Sequence, residues 1–167
     1  MKKLINNKKG FTLIELLAVI VILAILVMVS IPAVMRYLDT ARKGTFSDAA
    51  ATAVSAVRND VIVNGRQGLL TYKVDASTEI QGTNKETPKI NDLLEVKLNQ
   101  SPFGGKYYGY ILANVSGENT KYYVCLGDEK HIIKVNSESI DKDKVESDTT
   151  GKGCETIPTT IDPKVWE

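Results

Sequence analysis

One long apolar segment lies near the start of the chain, at residues 11–35. Its apolar character is interrupted only by Thr12, Glu15, Ser30 and Pro32. As an α-helix with a rise of about 1.5 Å per residue, the segment would be roughly 37 Å long, which exceeds a hydrocarbon core of about 30 Å. The pattern therefore predicts a membrane-spanning helix.

Apolar periodicity continues beyond this segment in the form typical of a helix with one buried face. Small or branched apolar residues recur at intervals of four, three and four positions: Ala50, Val54, Val57 and Val61. Such a stripe predicts packing against a sheet. The charged residues Asp48, Arg58 and Asp60 are expected off the stripe. The pattern stops at Asn64-Gly65, a pair that favours a helix C-terminus because both residues tolerate the left-handed conformation.

Pro32 lies inside this helical pattern. A proline there removes the hydrogen bond to the carbonyl of Met28 and typically kinks or loosens the helix. One alternative is a plain helix end at Ile31. Helical signal resumes directly after the proline, which favours one continuous helix with a local weak point. Gly44 is a second weak point, at a cost of about 1 kcal/mol.

Aromatic and β-branched residues predict strands in the rest of the chain. The runs are residues 69–74, 107–115, 121–126 and 130–135. Short turn sequences separate the last three runs, which therefore predict a three-stranded antiparallel meander. A polar stretch at 75–89 and a short amphipathic piece at 90–98 precede the meander. The polar residues 136–153 predict a loop after it.

Charge is distributed unevenly along the chain. Its 21 basic and 20 acidic residues give a net charge of +1, and four of the lysines lie within the first ten residues, which contain no acid. These lysines predict a cytoplasmic N-terminus by the positive-inside rule. The remainder has 17 basic and 20 acidic residues. A slightly acidic surface does not attract phosphate backbones strongly, so nucleic acid is not the default partner.

Candidate catalytic and metal-binding residues are sparse, and we expect neither enzyme activity nor a cofactor or metal. The single histidine, His131, continues a strand alternation and is expected at a partly exposed strand position. Residues 141–148 begin like a calcium-binding loop, but Val145 and Glu146 stand where an oxygen ligand and the turn glycine belong. A solvated loop is the better interpretation. Strand alternation should bury some of the tyrosines at 107, 108, 110, 122 and 123.

The start of the apolar run differs from an ordinary secretory signal. Such a signal places a cleavage site after an apolar core of roughly 7–15 residues, whereas here the small residue Gly10 precedes a longer run. The order Lys8-Lys9-Gly10-Phe11-Thr12-Leu13-Ile14-Glu15 resembles the prepilin motif of type IV pilins, over the first third of the chain. The resemblance implies cleavage after Gly10 by a membrane prepilin peptidase, which also methylates the new amino terminus at Phe11.

Glu15 is the one charge in the apolar segment. Insertion scales assign roughly 2.5–3.5 kcal/mol to a carboxylate at the centre of a membrane helix, so this residue needs a partner. In one interpretation Glu15 pairs with the free amine of Phe11 on a neighbouring subunit and fixes the axial register of assembly. In the other, Thr12 and Glu15 form a capping box at the helix start. The helix dipole favours a carboxylate there in either case, so both roles can coexist.

The resemblance also implies an α+β fold, the pilin fold, in which a long N-terminal α-helix carries a small antiparallel β-sheet head. The expected organisation is a leader at 1–10, a transmembrane or filament-core half of the helix at 11–35, an amphipathic half at 36–64, and a head at 65–167. Many pilins join the C-terminal loop to the sheet by a disulfide, which maps onto Cys125 and Cys154. The alternative is two unpaired buried thiols.

The function implied is that of a structural subunit, a major pilin, in a filament of identical subunits. The other partners implied are the membrane before assembly, the peptidase and methyltransferase, a membrane platform and an assembly ATPase. Pro32 would lie where the helix bends or melts within the filament. The prepilin would reside in the cytoplasmic membrane before it enters an extracellular pilus. Two alternatives stay open: a pseudopilin of a secretion or DNA-uptake system, and a single-pass binding protein that never polymerises.

Overall fold

The computed structural model describes residues 10–76, 78–79, 85–117, 119–158 and 166. The expectations for residues 1–9 of the leader and for part of the polar stretch at 75–89 therefore lie outside the described residues. The chain divides into two compact units, Met1–Asp39 and Thr40–Glu167. The first is helical from Leu13 onward, and the second contains the sheet.

A single helix, α1, runs from Leu13 to Val63 and contributes to both units. It continues through Pro32, so the alternative of a helix end at Ile31 is wrong. Two residues before the proline, the Ser30 hydroxyl donates a hydrogen bond to the Leu26 carbonyl at 2.7 Å. Near the N-terminus α1 is long and apolar enough to cross a membrane, as judged by length and composition.

The C-terminus of α1 is a Schellman motif. The Gly65 amide donates to the Ile62 carbonyl at 3.3 Å, and the Arg66 amide donates to the Val61 carbonyl at 3.0 Å. Gly65 has a φ of 57°, which a glycine adopts without steric cost. The two bonds satisfy carbonyls that the last helical turn leaves without partners, and they confirm the predicted stop at Asn64-Gly65.

The predicted stripe on α1 is confirmed as one side of the main hydrophobic core. Its residues are between 0% and 4% exposed: Ala50, Val54, Val57 and Val61. Phe46 and Ala53 extend the same buried face. The expectation for Asp60 is wrong, because this residue is only 8% exposed. Partners elsewhere in the chain account for its burial: the Arg66 Nε lies 2.5 Å and the Tyr72 hydroxyl 2.8 Å from its Oδ2.

Strands of the second unit form an antiparallel five-stranded sheet, in agreement with the expected α+β class. The order across the sheet is β1-β4-β5-β6-β7. Its strands are β1 (Gly68–Lys73), β4 (Tyr108–Ser116), β5 (Asn119–Gly127), β6 (His131–Asn136) and β7 (Glu146–Ser147). The meander is therefore confirmed as β4 to β6. Two further strands, β2 (Thr78–Glu79) and β3 (Glu86–Thr87), pair with each other, and a short helix α2 spans Ile90–Leu93.

The two faces of the sheet contribute to two hydrophobic clusters. Side chains such as Tyr72, Ile111 and Val124 join the main core with the stripe of α1. The second cluster contains Tyr110, Leu112, Cys125, Ile132 and Cys154, and Ile157 and Trp166 pack against it. The described residues Ile157 and Trp166 near the C-terminus thus belong to the packed structure.

The stretch predicted as loop at 136–153 contains short regular elements. Two 3-10 turns span Ser137–Ser139 and Lys142–Lys144, and β7 follows them. The Asp141 carboxylate begins the second turn by accepting from the Asp143 amide at 2.8 Å. Polar composition concealed these elements because each is only two or three residues long.

Candidate processing and assembly sites

Thr12 and Glu15 form the capping box that was one of the two interpretations of Glu15. The Thr12 amide and hydroxyl both donate to Glu15 Oε2, each at 2.8 Å. In return, the Glu15 amide donates to Thr12 Oγ1 at 3.3 Å. Thr12 is therefore the cap residue, and α1 begins at Leu13. Both bonds to the carboxylate use one oxygen, so the capping geometry leaves Oε1 to other partners.

Gly10 and Phe11 lie directly ahead of this cap. Both are exposed, and the Phe11 side chain is 91% exposed. The peptide bond expected to be cut thus precedes the first helical turn, outside the hydrogen-bonded part of α1. Pro32 lies 17 residues beyond Glu15, which corresponds to roughly 25 Å along a helix. The structure brings Gly10, Phe11 and Glu15 to one end of α1 and does not bring Pro32 to them.

Apolar side chains are exposed around the whole circumference of α1 in the first unit. From Leu13 to Met35 every large apolar side chain is at least half exposed, and Leu17 at 50% is the least exposed of them. A helix that is apolar on all sides needs an apolar environment, either lipid or other helices. This segment is therefore suited to membrane insertion and to packing against further helices.

Cys125 and Cys154 form a disulfide, with an S–S distance of 2.05 Å and a Cα–Cα distance of 5.4 Å. Both residues are 1% exposed, within the second hydrophobic cluster. Cys125 lies in β5, and Cys154 directly follows the polar stretch at 136–153 that contains β7. The bridge joins the C-terminal region to the sheet, as the resemblance implied.

Asp148 holds the segment between β7 and the disulfide, a role that sequence reasoning missed. Its Oδ2 accepts from the Tyr108 hydroxyl at 3.0 Å and the Gly153 amide at 2.9 Å, and its Oδ1 accepts from the amide and hydroxyl of Thr150. These bonds, led by the Thr150 hydroxyl, hold the pKa of Asp148 well below its usual range. The short spacing Asp148-x-Thr150 was the available signal, because aspartate side chains commonly accept from residues two positions on.

Asp128 is a second missed residue, and it is fully buried. Its Oδ1 accepts from the amides of Lys130 and His131 at 2.7 and 2.6 Å, and its Oδ2 accepts a short bond from the Ser101 hydroxyl. It closes the turn between β5 and β6 and attaches that turn to the segment around Ser101. His131 is half-buried in β6 and stacks on Phe103 with 3.6 Å between ring centroids, which agrees with the expected strand position.

The predicted burial of some tyrosines is confirmed. Tyr107, Tyr110 and Tyr122 are at most 5% exposed, whereas Tyr108 and Tyr123 are half-buried. Burial raises the pKa of both Tyr107 and Tyr110 to about 12. Among the described residues, no three His, Cys, Asp or Glu side chains are grouped so that they could hold a metal ion.

Comparisons with known proteins agree with the N-terminal geometry. Residues 5–31 match the family model described as the prokaryotic N-terminal methylation motif. The chain is also 32% identical to a type IV major alpha-pilin of Moraxella bovis over 120 residues, which cover 70% of this chain and 74% of that protein. No solved structure matches the chain.

The similarity to the Moraxella protein extends well beyond the N-terminal motif, since 120 residues cannot be accommodated in the apolar helix alone. It favours a structural pilus subunit over a pseudopilin and over a non-polymerising binding protein. The motif, the apolar helix, the antiparallel sheet and this similarity together place the chain in the family of type IV pilins, the structural subunits of type IV pili.

Proposed function

We propose that the chain is the major, repeating subunit of its pilus, and that it is cut between Gly10 and Phe11 and methylated at Phe11 before assembly. The prepilin is inserted with its N-terminus in the cytoplasm, where the leader lysines remain. A peptidase and methyltransferase, a membrane platform and an assembly ATPase handle it in turn. The observation that carries this proposal is the part of α1 that lies in the first unit, where the apolar side chains are exposed. This helix begins at Leu13, directly after the proposed cut and the Thr12 cap.

The apolar surface of α1 is suited to two environments, one after the other. Lipid covers the segment while the protein is in the membrane, and the helices of other copies cover it in the filament. Burial of an apolar side chain of this size contributes about 1.5–3 kcal/mol relative to leaving it in water. A helix with exposed apolar side chains at nearly every position therefore has a large driving force to leave water by either route.

Glu15 supports the proposal that processing and assembly are coupled. Cleavage at Gly10 creates a positively charged amine on Phe11, at the same end of α1 as the Glu15 carboxylate. The capping bonds use Oε2, so Oε1 is suited to accept from the Phe11 amine of another copy. Within an apolar bundle such a pair neutralises two charges at once, which makes one axial position between neighbouring copies more favourable than the others.

The proposal is tested by the mass and N-terminal sequence of protein sheared from the cell surface. We expect a filament protein that begins at Phe11 and carries one additional methyl group on its amine. Gly10→Val should yield uncut chain that stays with the membrane fraction, while Gly44→Val serves as a control for a change of the same type within α1. Sheared filaments made of chain that still begins at Met1 would contradict the proposal.

A further inference from the structure

A groove in the second unit lies between α1 and the segment that follows α2. Its volume is about 450 Å³. Thr45, Asp48 and Ala49 form the α1 side, and Val96, Leu98 and Pro102 form the other side. Val96 lies at the edge of the groove and is 83% exposed. We call these residues the α1 groove.

The wall of the α1 groove opposite the helix is held in place by polar contacts. The Leu98 amide donates to Asn91 Oδ1 at 2.7 Å, and the Lys97 ammonium donates to the Asn91 carbonyl. Further along, the Ser101 hydroxyl is bonded to the fully buried Asp128. A wall fixed in this way is preorganised, so an occupant does not have to order it on binding.

The size of the α1 groove indicates what kind of partner it fits. Eleven residues line it, whereas a stable interface between separate proteins uses about 20–30 residues on each side. The groove alone is therefore too small to capture a free protein. It is suited to a partner that another contact already holds at a high effective concentration. In a pilus of identical subunits, that partner is a second copy of this chain.

The same unit carries an exposed apolar feature at the end of α1. Ile62 and Val63 are adjacent, belong to the last turn of α1 within the Schellman motif, and are 69% and 81% exposed. Among the described residues of the second unit, the other exposed large apolar side chains are Leu69 and Val96. Ile62 and Val63 lie about 20 Å along the helix from Ala49, at about 1.5 Å per residue. They are thus a surface distinct from the groove.

We propose that Ile62 and Val63 of one copy dock in the α1 groove of the next copy in the filament, against Val96 and Leu98. The contact rests on the proposed function, because the filament supplies the local concentration. It joins two different surfaces, so it is heterologous, and repetition of a heterologous contact gives an open helical assembly when its rotation does not close into a ring, as in a filament. The contact also adds a head-to-head attachment to the one made by the apolar helices.

Photo-crosslinking in assembled filaments tests this contact. A photoreactive phenylalanine analogue replaces Val96 in the full chain, and Leu69, which is also exposed and apolar, is replaced in a matched control. After irradiation of sheared filaments, we expect covalent dimers from position 96 in which the linked peptide contains residues 62–63. Position 69 should give no link to residues 96–102. Both sites are exposed, so neither replacement disturbs the core.

A substitution provides an independent readout. Val63→Asp places a carboxylate against the apolar side chains of Val96 and Leu98 and should reduce the fraction of filament that survives shearing by at least about threefold. A threefold factor corresponds to less than about 1 kcal/mol per contact. Leu69→Asp should leave that fraction unchanged. Filaments that form normally but give no link between positions 96 and 62–63 overturn the contact and leave the proposed function intact. A wild-type chain that forms no filament contradicts the proposed function itself.

Discussion

Three carboxylates, those of Glu15, Asp60 and Asp128, are each held by a small set of hydrogen-bond donors. Glu15 accepts from the amide and hydroxyl of Thr12, Asp60 from Arg66 and Tyr72, and Asp128 from backbone amides and a serine. Burying a carboxylate is costly unless its oxygens are hydrogen-bonded. The hydrogen-bond donors offset this cost, so the charges remain compatible with an apolar helix end and with a packed core.

Glu15→Gln separates the two roles of that residue. A glutamine oxygen can still accept from the Thr12 amide, so the cap persists, whereas the negative charge that would attract a neighbouring amine is lost. We expect the helix content in detergent to be unchanged and the filament yield by electron microscopy to fall at least tenfold. Thr12→Ala is the complementary variant, because it removes part of the cap at a cost of about 1 kcal/mol and keeps the charge. Normal filament yield from Glu15→Gln would leave only the capping role.

Tyr72→Phe tests the contribution of the buried Asp60 cluster. The substitution removes the hydroxyl that donates to Asp60 Oδ2 at 2.8 Å, and a hydrogen bond to a charged group contributes about 1.5–3 kcal/mol. We expect a decrease of that size in the free energy of unfolding, measured by denaturant titration in detergent. Tyr37→Phe is the control, because Tyr37 is 75% exposed. Equal effects of the two substitutions would show that the hydroxyl of Tyr72 contributes nothing specific.

Asp148 makes the region before the disulfide sensitive to acid. Its pKa is lowered in the folded protein, whereas an unfolded chain has the usual value of about 3.9. The stabilisation is therefore fully present above pH of about 5 and is lost as the pH falls through and below the unfolded value. Asp148→Asn should reduce the melting temperature at pH 7, and the reduction should shrink towards pH 3. Asp143→Asn, in an exposed turn, is the control. A pH-independent difference between wild type and Asp148→Asn would contradict this linkage.

At the scale of elements, periodicity predicted the structure where each element repeats its pattern several times. The stripe from Ala50 to Val61 repeats often enough to define one buried face of α1, and the aromatic and β-branched runs of β4 to β6 are long enough to be recognised as strands, with buried residues on both faces of the sheet. The strands β2, β3 and β7 have two residues apiece and carry no period at all. Their positions depend on pairing with residues distant in sequence, as when β7 pairs with the start of β6.

The pairing of β4 with β5 depends on one glycine. Gly109 has a φ of 136°, and a Cβ atom added to it would lie 2.1 Å from the Cys125 carbonyl oxygen. Gly109→Ala should therefore force the two strands apart and lower the free energy of unfolding by more than about 3 kcal/mol. Gly117 also has a positive φ, but a Cβ atom added to it would meet no atom within 4 Å. Gly117→Ala should therefore lower the free energy of unfolding by no more than about 1–2 kcal/mol. Comparison of the two variants in thermal melts isolates the steric effect, and equal losses would argue against it.

At the scale of the whole molecule, the sequence predicted a long helix followed by the meander, and the family resemblance implied the cysteine pair, but neither indicated the polar contacts that join distant segments. Arg66 and Tyr72 approach Asp60 only because β1 lies beside the end of α1, and Ser101 approaches Asp128 across 27 positions. Local hydropathy marks such aspartates as surface residues. Their burial follows from pairings that exist only in the folded chain, so it could not be deduced from neighbouring residues.

The disulfide is the covalent link within this molecule, and its removal should be measurable. It closes a separation of 29 positions, for which the chain-entropy model gives about 3–4 kcal/mol. We expect the double variant Cys125→Ala, Cys154→Ala to lose stability of that order, and the wild-type mass to rise by two hydrogens on reduction. An unchanged mass after complete reduction would contradict the bridge. Equal melting temperatures of the reduced and oxidised protein would show that it contributes no stability.

The division of the chain at Asp39 and Thr40 has a practical consequence. Every residue of the main core lies at or beyond Phe46, and both cysteines lie in the same unit. A fragment that begins at Thr40 would therefore lack the apolar segment yet retain its entire core. We expect such a fragment, secreted to an oxidising compartment, to dissolve without detergent, to unfold in one cooperative transition, and to crystallise more readily than the intact chain.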